Sequence, residues 1–446
     1  MRSFSLPHPV VLLVMGIVLA AAITWVVPAG EYQRVVDKET GRTVAVAGTY
    51  REVPRSPVGP FEIAVAIPRG FIEGADVIAT ILFVGAAFFL VDRVGTLARL
   101  VGALVRGLGG RGLLAIPIAA LFFGTMGALE NMQEEIVALV PVLLVLASRT
   151  GVDAVTIVAA SAGAAVVGSA FGPTNPFQAG IALTLAELPV LEGGGLRLAM
   201  WAVGIAVWIG WTLRHAARNR TPIEAAPADD GGGVTARDIA IVVCVLLPLA
   251  AYVIGALRWD WGFNELSGAF IVGAVVVGII ARLGAGGTTT ALLDGMQAML
   301  PAALLVGLAR SIALVLADGK VIDTILHAFA QPLGQVPPVA SALLMVPAHA
   351  AIHVPVPSVS GQAALTMPVM VPLSDLIGLS RQVTVLAYQT GAGLMDMLTP
   401  TNGALLAVLL AAGVPYQRWL RFAVGGWVLT TLVGIGGILV ALAIGL

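Results

Sequence analysis

Long apolar runs separated by short polar segments are the main pattern along this 446-residue chain. A helix that crosses a bilayer needs about 20 mostly apolar residues, because the hydrocarbon core is about 30 Å thick. Residues 9–27 have this length, and we interpret them as a retained first helix, since the apolar region of a signal peptide usually has only about 7–15 residues. Further apolar runs, several of them short and arranged in adjacent pairs, lie at 76–91, 112–128, 136–148, 154–170, 177–186, 197–213, 238–257, 265–281, 298–316, 339–352, 364–377, 382–395, 404–413 and 422–445. The pattern predicts an all-α polytopic membrane protein.

Short loops rich in arginine indicate the cytoplasmic side of a membrane. Such loops lie at 92–111, 214–220 and 418–421. All three fall on one side only if segments 112–148 and 339–377 enter the membrane and return to the side from which they came. This arrangement predicts about nine crossings plus two re-entrant helical hairpins, with a cytoplasmic N-terminus and an extracytoplasmic C-terminus.

The polar segments between the apolar runs predict loops and surface helices. Residues 28–75 form an extracytoplasmic loop, in which the alternating EYQRVV and TVAVAGTY around the turn-like DKETGR predict a small β-hairpin. Residues 219–236 are polar and rich in glycine and proline, as expected for a cytoplasmic linker. Two amphipathic stretches, 93–107 and 318–330, are expected to lie at the membrane interfaces.

A short motif occurs twice and divides the chain into two halves. The tripeptide Pro-Thr-Asn at 173–175 recurs at 400–402, and both halves have the order hairpin, broken helix, final helix. The extra crossing at 238–257 gives an odd number of crossings between the halves, which would invert their topology. Inverted repeats that contain discontinuous helices are typical of secondary transporters.

This symmetry predicts two repeats joined by a linker. The first repeat covers 1–218 and the linker covers 219–236. The remainder, 237–446, holds the extra helix and the second repeat. Within the repeats we predict hairpins at 112–148 and 338–377, and broken helices at 153–187 and 381–413.

The two breaks carry helix-start signals and oxygen ligands. Asn175 and Pro176 followed by Gln178 have the form of an N-cap, a first-position proline and a capping-box glutamine. Thr399 and Pro400 give a similar signal in the second half. Helix N-termini attract anions, and unwound carbonyls with Thr and Asn oxygens can hold Na⁺. Two interpretations of the breaks remain open. Each break is either a plain proline kink or part of an ion site, and in the second case the predicted ion ligands are Thr174, Asn175, Thr399 and Asn402.

The hairpin tips at 124–135 and 349–362 supply further candidates. The stretch from Asn131 to Glu134 could be a capping box, which would leave Glu130 and Glu135 without an explanation. Acids at membrane depth are costly and are functional candidates for that reason. Ser358 and Ser360 are either N-caps or ligands. The predicted substrate-binding set is Asn131, Glu134, Glu135, Thr174, Asn175, Arg310, Ser358, Ser360, Gln362, Asp396, Thr401 and Asn402.

Arg310 lies in the middle of the 298–316 run. An arginine there costs at least about 2.5–3.5 kcal/mol on insertion scales, so it requires a partner. The partner is either an internal acid (Asp396, Glu134 or Glu135) or the carboxylate of a substrate, which a guanidinium binds with two parallel hydrogen bonds.

Composition excludes several classes of protein. Hydrophobic residues make up 58% of the chain and charged residues 11%, against about 25% charged in an ordinary globular domain. This composition excludes a soluble enzyme and a disordered chain. With 24 Lys and Arg against 25 Asp and Glu there is no basic field for nucleic acid. The single cysteine, Cys244, excludes an intrachain disulfide and a cysteine-built metal site. We expect a lipid bilayer and a small solute as partners, and neither a cofactor nor a bound metal centre.

The segment PSVSGQAALTMPVMVPLSDLIGLSRQVTVLAYQTGAG (357–393) resembles the YfcC family of bacterial carriers, which is grouped with the anaerobic C4-dicarboxylate carriers in the ion-transporter superfamily. VPAGEYQRVV, AIPRGFIEGAD, GLARSIALVLADGKVIDTIL and NPFQAGIA extend the resemblance over most of the chain. It implies a carrier of the bacterial inner membrane in which a transport domain moves against a scaffold, an elevator-type alternation. It also implies amino acids, basic ones included, or dicarboxylates as solutes, and coupling to Na⁺ or H⁺ or exchange. We further expect a homodimer.

Within this scheme the hairpins and broken helices are expected to move against a scaffold. The scaffold includes the first helix, the helices at 197–213, 265–281 and 422–445, and the extra helix at 238–257. A channel is one rival interpretation. An intramembrane protease that uses Ser360 and His353 is another, although no complete protease motif surrounds them. His349 and His353 have the spacing of metal ligands, but nearby prolines argue against a regular helix there. The sequence therefore favours a secondary active transporter over an enzyme.

Overall fold

A computed structural model describes residues 9–36, 43–46, 48–96, 99, 100, 103, 112–173, 175–189, 192–222, 234–259 and 261–446. Most of the predicted linker, much of the 93–107 amphipathic stretch and Thr174 lie outside these residues. Seven helices in the described ranges are long and apolar enough to cross a bilayer. The chain is thus an all-α polytopic membrane protein, as predicted.

The helices follow the predicted apolar runs closely. They are α1 (Pro9–Val26), α2 (Pro60–Glu73), α3 (Ala75–Arg93), α4 (Ala115–Glu130), α5 (Ile136–Thr150), α6 (Ala154–Phe171), α7 (Ile181–Leu185), α8 (Gly194–Arg218), α9 (Ala236–Trp259), α10 (Phe263–Ile280), α11 (Gly284–Asp318), α12 (Ile322–Leu333), α13 (Pro338–His353), α14 (Val359–Leu376), α15 (Arg381–Tyr388), α16 (Gly403–Ala411) and α17 (Tyr416–Ile444). The four strands are β1 (Gly30–Glu31), β2 (Arg34–Val36), β3 (Thr43–Ala45) and β4 (Arg51–Glu52).

The predicted β-hairpin is present, but the loop around it is shorter than expected. Strands β2 and β3 pair antiparallel. Strand β1, which precedes this pair in the sequence, pairs antiparallel with β4, which follows it. The prediction that all of 28–75 is loop is wrong, because residues 60–73 form α2, which packs on α11. At the contact, a methyl group at Gly70 would lie 2.4 Å from Gly307 O. This close approach of two backbones stabilises a helix that is too short and too polar to be recognised as a span.

Both predicted hairpins are pairs of helices joined by short turns. Asn131 adopts a left-handed conformation (φ 60°) and ends α4, so the predicted capping box that starts there is wrong. The chain re-enters a helix only at Ile136. In the second hairpin Ser358 caps α14, with its Oγ accepting from Gly361 N at 3.2 Å, whereas Ser360 lies within the helix. Helix α13 continues regularly through Pro347, contrary to the expectation that prolines would disrupt it.

Two helices are interrupted where the Pro-Thr-Asn motifs lie. Helix α6 contains a π-helical turn at Ala159–Gly163 and ends at Phe171, and a second π turn precedes α7. Helix α15 runs into a π turn at Gln389–Gly393, after which the chain is irregular before α16. Asn402 caps α16, so this half-helix starts later than the predicted signal at Thr399 and Pro400.

The helices pack as two units. The α11 unit comprises α1, α2, α3, α9, α10 and α11, and the hairpin unit comprises both hairpins, both broken helices, α8 and α17. Of the helices that the sequence assigns to a scaffold, α8 (197–213) and α17 (422–445) pack on the broken helices, whereas α1 and α10 pack in the α11 unit, so the scaffold assignment stays a prediction. Two buried tryptophans make the first of these contacts: Trp208 Nε1 donates to Ala159 O at 2.7 Å, and Trp419 Nε1 donates to Met397 O at 2.8 Å. Each ring therefore satisfies a carbonyl of a broken helix.

The two units meet where α16 packs on α11 and where α5 packs on α3. A methyl group at Gly403 would lie 2.9 Å from Val306 Cα and 3.1 Å from Ala309 Cβ, so the two helices touch through backbone and small side chains. Small residues at such a contact let the backbones of two membrane helices approach closely.

Candidate functional site

A cavity of about 170 Å³ lies between the α11 unit and the hairpin unit. It is bounded by α11, by both hairpin tips and by the second break. Nine members of the predicted substrate-binding set line it: Asn131, Glu134, Glu135, Arg310, Ser358, Ser360, Asp396, Thr401 and Asn402. Asn175 and Gln362 are fully buried outside its wall. Residues that are far apart in sequence therefore form one polar site.

Two helices begin at the cavity wall. Helix α14 starts at Ser358, and α16 starts at Asn402, whose Oδ1 accepts from Leu405 N at 2.9 Å. Helix N-termini carry a partial positive charge and unpaired N–H groups. Both therefore favour a negatively charged group in the cavity.

Arg310 enters the cavity from α11. Among the described residues no acidic side chain lies within 4 Å of its guanidinium, so the internal ion pair, one of the two alternatives from the sequence, is not formed at that distance. Its charge acts at longer range on Glu134, which lines the same cavity. Arg310 therefore brings a positive charge to the cavity wall without a paired acid at that distance among the described residues.

Asp396, one of the three acids that the sequence offers as a partner of Arg310, is instead held within the hairpin unit. Its Oδ1 lies 2.8 Å from His353 Nε2 and accepts from Asn402 Nδ2 at 2.7 Å. Its Oδ2 accepts from Gln133 Nε2 at 2.9 Å. One carboxyl group thus joins the first tip, the end of α13 and the second break.

His353 has partners on both ring nitrogens. Nδ1 lies 2.8 Å from Gln362 Oε1, and Nε2 faces Asp396. A histidine engaged in this way is not placed as a base for Ser360, so the geometry does not support the protease interpretation. The described residues contain no cluster of three or more His, Cys, Asp or Glu side chains that could hold a metal.

Asn175 fastens the first break to the first tip. Its Oδ1 accepts from Phe177 N and Gln178 N, both at 2.9 Å, which confirms the predicted N-cap. Its Nδ2 donates to Gly127 O and to Ser169 Oγ, again at 2.9 Å. The oxygens of Asn175 and of the equivalent Asn402 are therefore both used as helix caps.

The hydroxyl groups of the second break are arranged differently. Thr401 Oγ1 donates to Val354 O and so ties the break to the second tip. Thr399 Oγ1 is buried and has no hydrogen-bond partner within the described ranges. Buried hydroxyl oxygens are normally paired, but Thr399 is fully buried and is not among the residues that line the cavity.

Arg197 and Gln389 are buried polar residues that sequence reasoning missed. Arg197 Nε donates to Gln389 Oε1 and its Nη2 donates to Gln382 Oε1, both at 2.8 Å. Gln389 Nε2 donates to Ala170 O at 3.2 Å and so links the two broken helices. The signal in the sequence was the pair Gln389-Thr390 within an apolar run. The sequence gave no signal for Arg197, because an arginine near the end of a helix is common and does not by itself indicate a buried polar contact.

An all-α membrane protein with a polar cavity between hairpin tips and interrupted helices has the construction of a membrane transporter. The family described as DcuC, C4-dicarboxylate anaerobic carrier, matches residues 6–443. The chain belongs to this family of carriers.

Individual relatives agree with this assignment. YfcC of Escherichia coli (strain K12), which carries the provisional name of a basic amino acid antiporter, is 31% identical over 94% of this chain and 93% of its own length. The resemblance to the YfcC family is therefore confirmed. An uncharacterized protein of Haemophilus influenzae (strain ATCC 51907 / DSM 11121 / KW20 / Rd) is 26% identical over 100% of this chain and 98% of its own.

Two solved structures are similar over nearly the whole chain. The Alcanivorax borkumensis YdaH transporter has 17% identity and a TM-score of 0.44, covering 99% of each chain. Neisseria gonorrhoeae MtrF has 18% identity and a TM-score of 0.43, covering 97% of this chain and 94% of its own.

Proposed function

We propose that this carrier is a secondary active transporter of a small solute that bears a carboxylate. The observation that supports this most directly is Arg310, a cation in the cavity wall without an acidic partner within 4 Å among the described residues. A carboxylate would satisfy its guanidinium with two parallel hydrogen bonds. The N-termini of α14 and α16 lie on the same cavity and add to the attraction.

The charges of the cavity wall favour an amino acid over a dicarboxylate. Arg310 is the one cationic side chain that lines the described cavity, against the acids Glu134, Glu135 and Asp396. A dicarboxylate would place its second negative charge among these acids, where repulsion is unfavourable. An amino acid, above all a basic one, would place its carboxylate at Arg310 and its ammonium groups near the acids. The name of the Escherichia coli relative YfcC agrees with this choice.

The two packing units support an elevator-type alternation. The hairpin unit would carry the cavity past α11, with the contact between Gly403 and the Val306–Ala309 stretch as a sliding surface. We place the carrier in the bacterial inner membrane as a homodimer, with its N-terminus in the cytoplasm. Coupling is to Na⁺ or H⁺ or by exchange, and the unpaired Thr399 hydroxyl is the candidate ligand for Na⁺.

Uptake into proteoliposomes tests this function. Labelled arginine, lysine, alanine, succinate and agmatine are offered under imposed Na⁺, H⁺ or solute gradients, with protein-free liposomes as the control. We expect accumulation of arginine above its own gradient and no recognition of agmatine, which keeps the guanidinium of arginine but lacks its carboxylate. Equal uptake of agmatine and arginine would contradict a role for the carboxylate. Uptake that never exceeds the solute gradient would indicate a channel.

A further inference from the structure

A buried imidazole contacts an acid at the edge of the cavity. His353 is fully buried at the end of α13, with Nε2 2.8 Å from Asp396 Oδ1 and Nδ1 2.8 Å from Gln362 Oε1. Each contact between two heteroatoms at this distance requires a hydrogen. The neighbouring hydrogen bonds determine where these hydrogens lie.

Gln362 determines the hydrogen on one side of the ring. Its Nε2 donates to His349 O at 2.9 Å, which turns its Oε1 towards His353. An amide oxygen only accepts, so Nδ1 of His353 carries the hydrogen of that contact. A neutral His353 would therefore have a bare Nε2.

Asp396 is surrounded by donors on its other sides. Asn402 Nδ2 donates to Oδ1 at 2.7 Å, and its orientation is set because Asn402 Oδ1 already accepts from Leu405 N. Gln133 Nε2 donates to Oδ2 at 2.9 Å. An ionised Asp396 therefore presents a lone pair to His353 Nε2. The contact at 2.8 Å holds only when one additional proton lies between the two atoms.

We propose that His353 and Asp396 together bind the proton that is coupled to solute movement. The inference rests on the proposed transport function and names its coupling ion. In the loaded state the couple has no net charge, as an imidazolium with a carboxylate or as an imidazole with a carboxylic acid. When the proton leaves to water, the couple carries one negative charge and two lone pairs face each other, so the contact has to open.

Opening this contact would be transmitted directly to the cavity. Asp396 lines the cavity and is also the link between α13, the first tip and the second break. The other charged or titratable groups around it are Glu134 and Glu135 on the first tip, Arg310 on α11 and His349 one turn earlier on α13. The charges of Glu134 and Asp396 repel each other, so the gain or loss of one proton changes the field that a charged solute meets.

The test compares proton movement with solute movement in the same vesicles. Proteoliposomes with a lumenal pH dye receive labelled arginine or labelled succinate, in Na⁺ and in Na⁺-free choline buffer. We expect the wild type to move protons together with the solute in both buffers. In His353→Gln we expect the protons moved per solute to fall at least tenfold, while the solute still raises the melting temperature. His349→Gln alters a buried histidine on the same helix that does not touch Asp396, and should keep the wild-type ratio.

Several results would overturn the proposal. One is a wild-type ratio of protons to solute in His353→Gln, and another is solute movement in the wild type that requires Na⁺ and moves no protons. If His353→Gln does not fold, the heat of solute binding to the wild type is measured instead, by calorimetry in phosphate and in Tris. Equal heats in the two buffers between pH 6 and 8 would mean that no proton is exchanged, and would refute the inference. Failure of the proposed function itself is recognised differently, by the absence of wild-type uptake of either solute.

Discussion

Arg418 and Asp153 form an ion pair, in which Arg418 Nη2 donates to Asp153 Oδ2 at 2.8 Å. Asp153 caps the start of α6, and Arg418 lies in the first turn of α17. His215 of α8 contacts the same carboxylate at 3.3 Å. The start of the first broken helix is therefore held by α8 and α17, two of the helices that the sequence assigns to a scaffold.

Asp153 predicts a pH-dependent contribution to stability. Burial raises its pKa, but hydrogen bonds from His215 and Thr156 outweigh burial and hold the pKa at about 2, below the ordinary 3.8. A lowered pKa in the folded state stabilises the fold above about pH 4, and the stabilisation is lost as the pH falls towards 2. We expect Asp153→Asn to reduce the free energy of unfolding by about 1–2 kcal/mol at neutral pH, allowing for solvent screening.

Melting in detergent at pH 7, 5 and 3 checks this expectation for Asp153→Asn, whose deficit should shrink with falling pH. Asp294→Asn removes the acid of an exposed pair with Arg93 and should have little effect at any pH. A deficit for Asp153→Asn that is the same at all three values would show that its charge is not responsible.

Arg310→Lys tests the proposed carboxylate site, because the substitution keeps the charge but loses the bidentate geometry. We expect the KM for arginine uptake to rise at least tenfold, about 1.4 kcal/mol, with little change in melting temperature. Arg69→Lys, which alters an exposed pair with Asp318, is the control and should transport normally. A large loss of melting temperature with unchanged KM would remove Arg310 from the binding site.

Asn402 has two separable roles, as the cap of α16 and as a donor to Asp396. Asn402→Ala should lower stability by about 1 kcal/mol through loss of the cap and should also impair uptake. Asn402→Ser keeps a capping oxygen but cannot supply the amide donor, so we expect most of the stability to return without the transport. Circular-dichroism melting and uptake measured on both variants decide the matter. Full activity in the serine variant would mean that the contact with Asp396 is dispensable.

Gly168 allows α6 to touch α4 through backbone alone. A methyl group at Gly168 would lie 1.9 Å from Gly124 O, so Gly168→Ala must push the two helices apart. We expect a loss of about 2–3 kcal/mol in stability, as for other overpacked sites. Gly210→Ala in α8 points into open space and, by helix propensity, should be neutral or slightly stabilising. Similar melting temperatures for the two variants would contradict the packing argument.

A disulfide across the sliding contact should stop the proposed movement. In a Cys244→Ser background, Ala309→Cys with Gly403→Cys joins α11 to α16, where the two Cβ positions lie 3.1 Å apart. Oxidation should block uptake and reduction should restore it. Ala86→Cys with Gly295→Cys is a matched pair within the α11 unit, at 3.3 Å, and should cross-link without loss of uptake. Unimpaired uptake by the oxidised first pair would exclude movement of one unit past the other.

Helix positions and helix ends were largely predictable, because their signals are local. Runs such as 76–91 and 265–281 correspond closely to α3 and α10. The cap at Asn175 followed from the Asn-Pro dipeptide and the glutamine two residues later. The exceptions have physical causes as well. Helix α2 is too short and too polar to be recognised as a membrane span. Helix α16 begins only after Asn402, because the side chain of Asn402 supplies the capping oxygen.

The sequence by itself determined that this is a helical membrane carrier and which segments form its tips and breaks, since apolar length, proline and capping residues act within a few neighbouring positions. The tertiary structure alone decided how these parts are joined. The hydrogen bonds from Asp396 to His353 and to Gln133 join residues that are 43 and 263 positions apart in the sequence. No local sequence pattern predicts a side-chain hydrogen bond between residues so far apart in the chain. The same holds for Trp208 and Trp419, which attach α8 and α17 to the broken helices because buried carbonyls require donors.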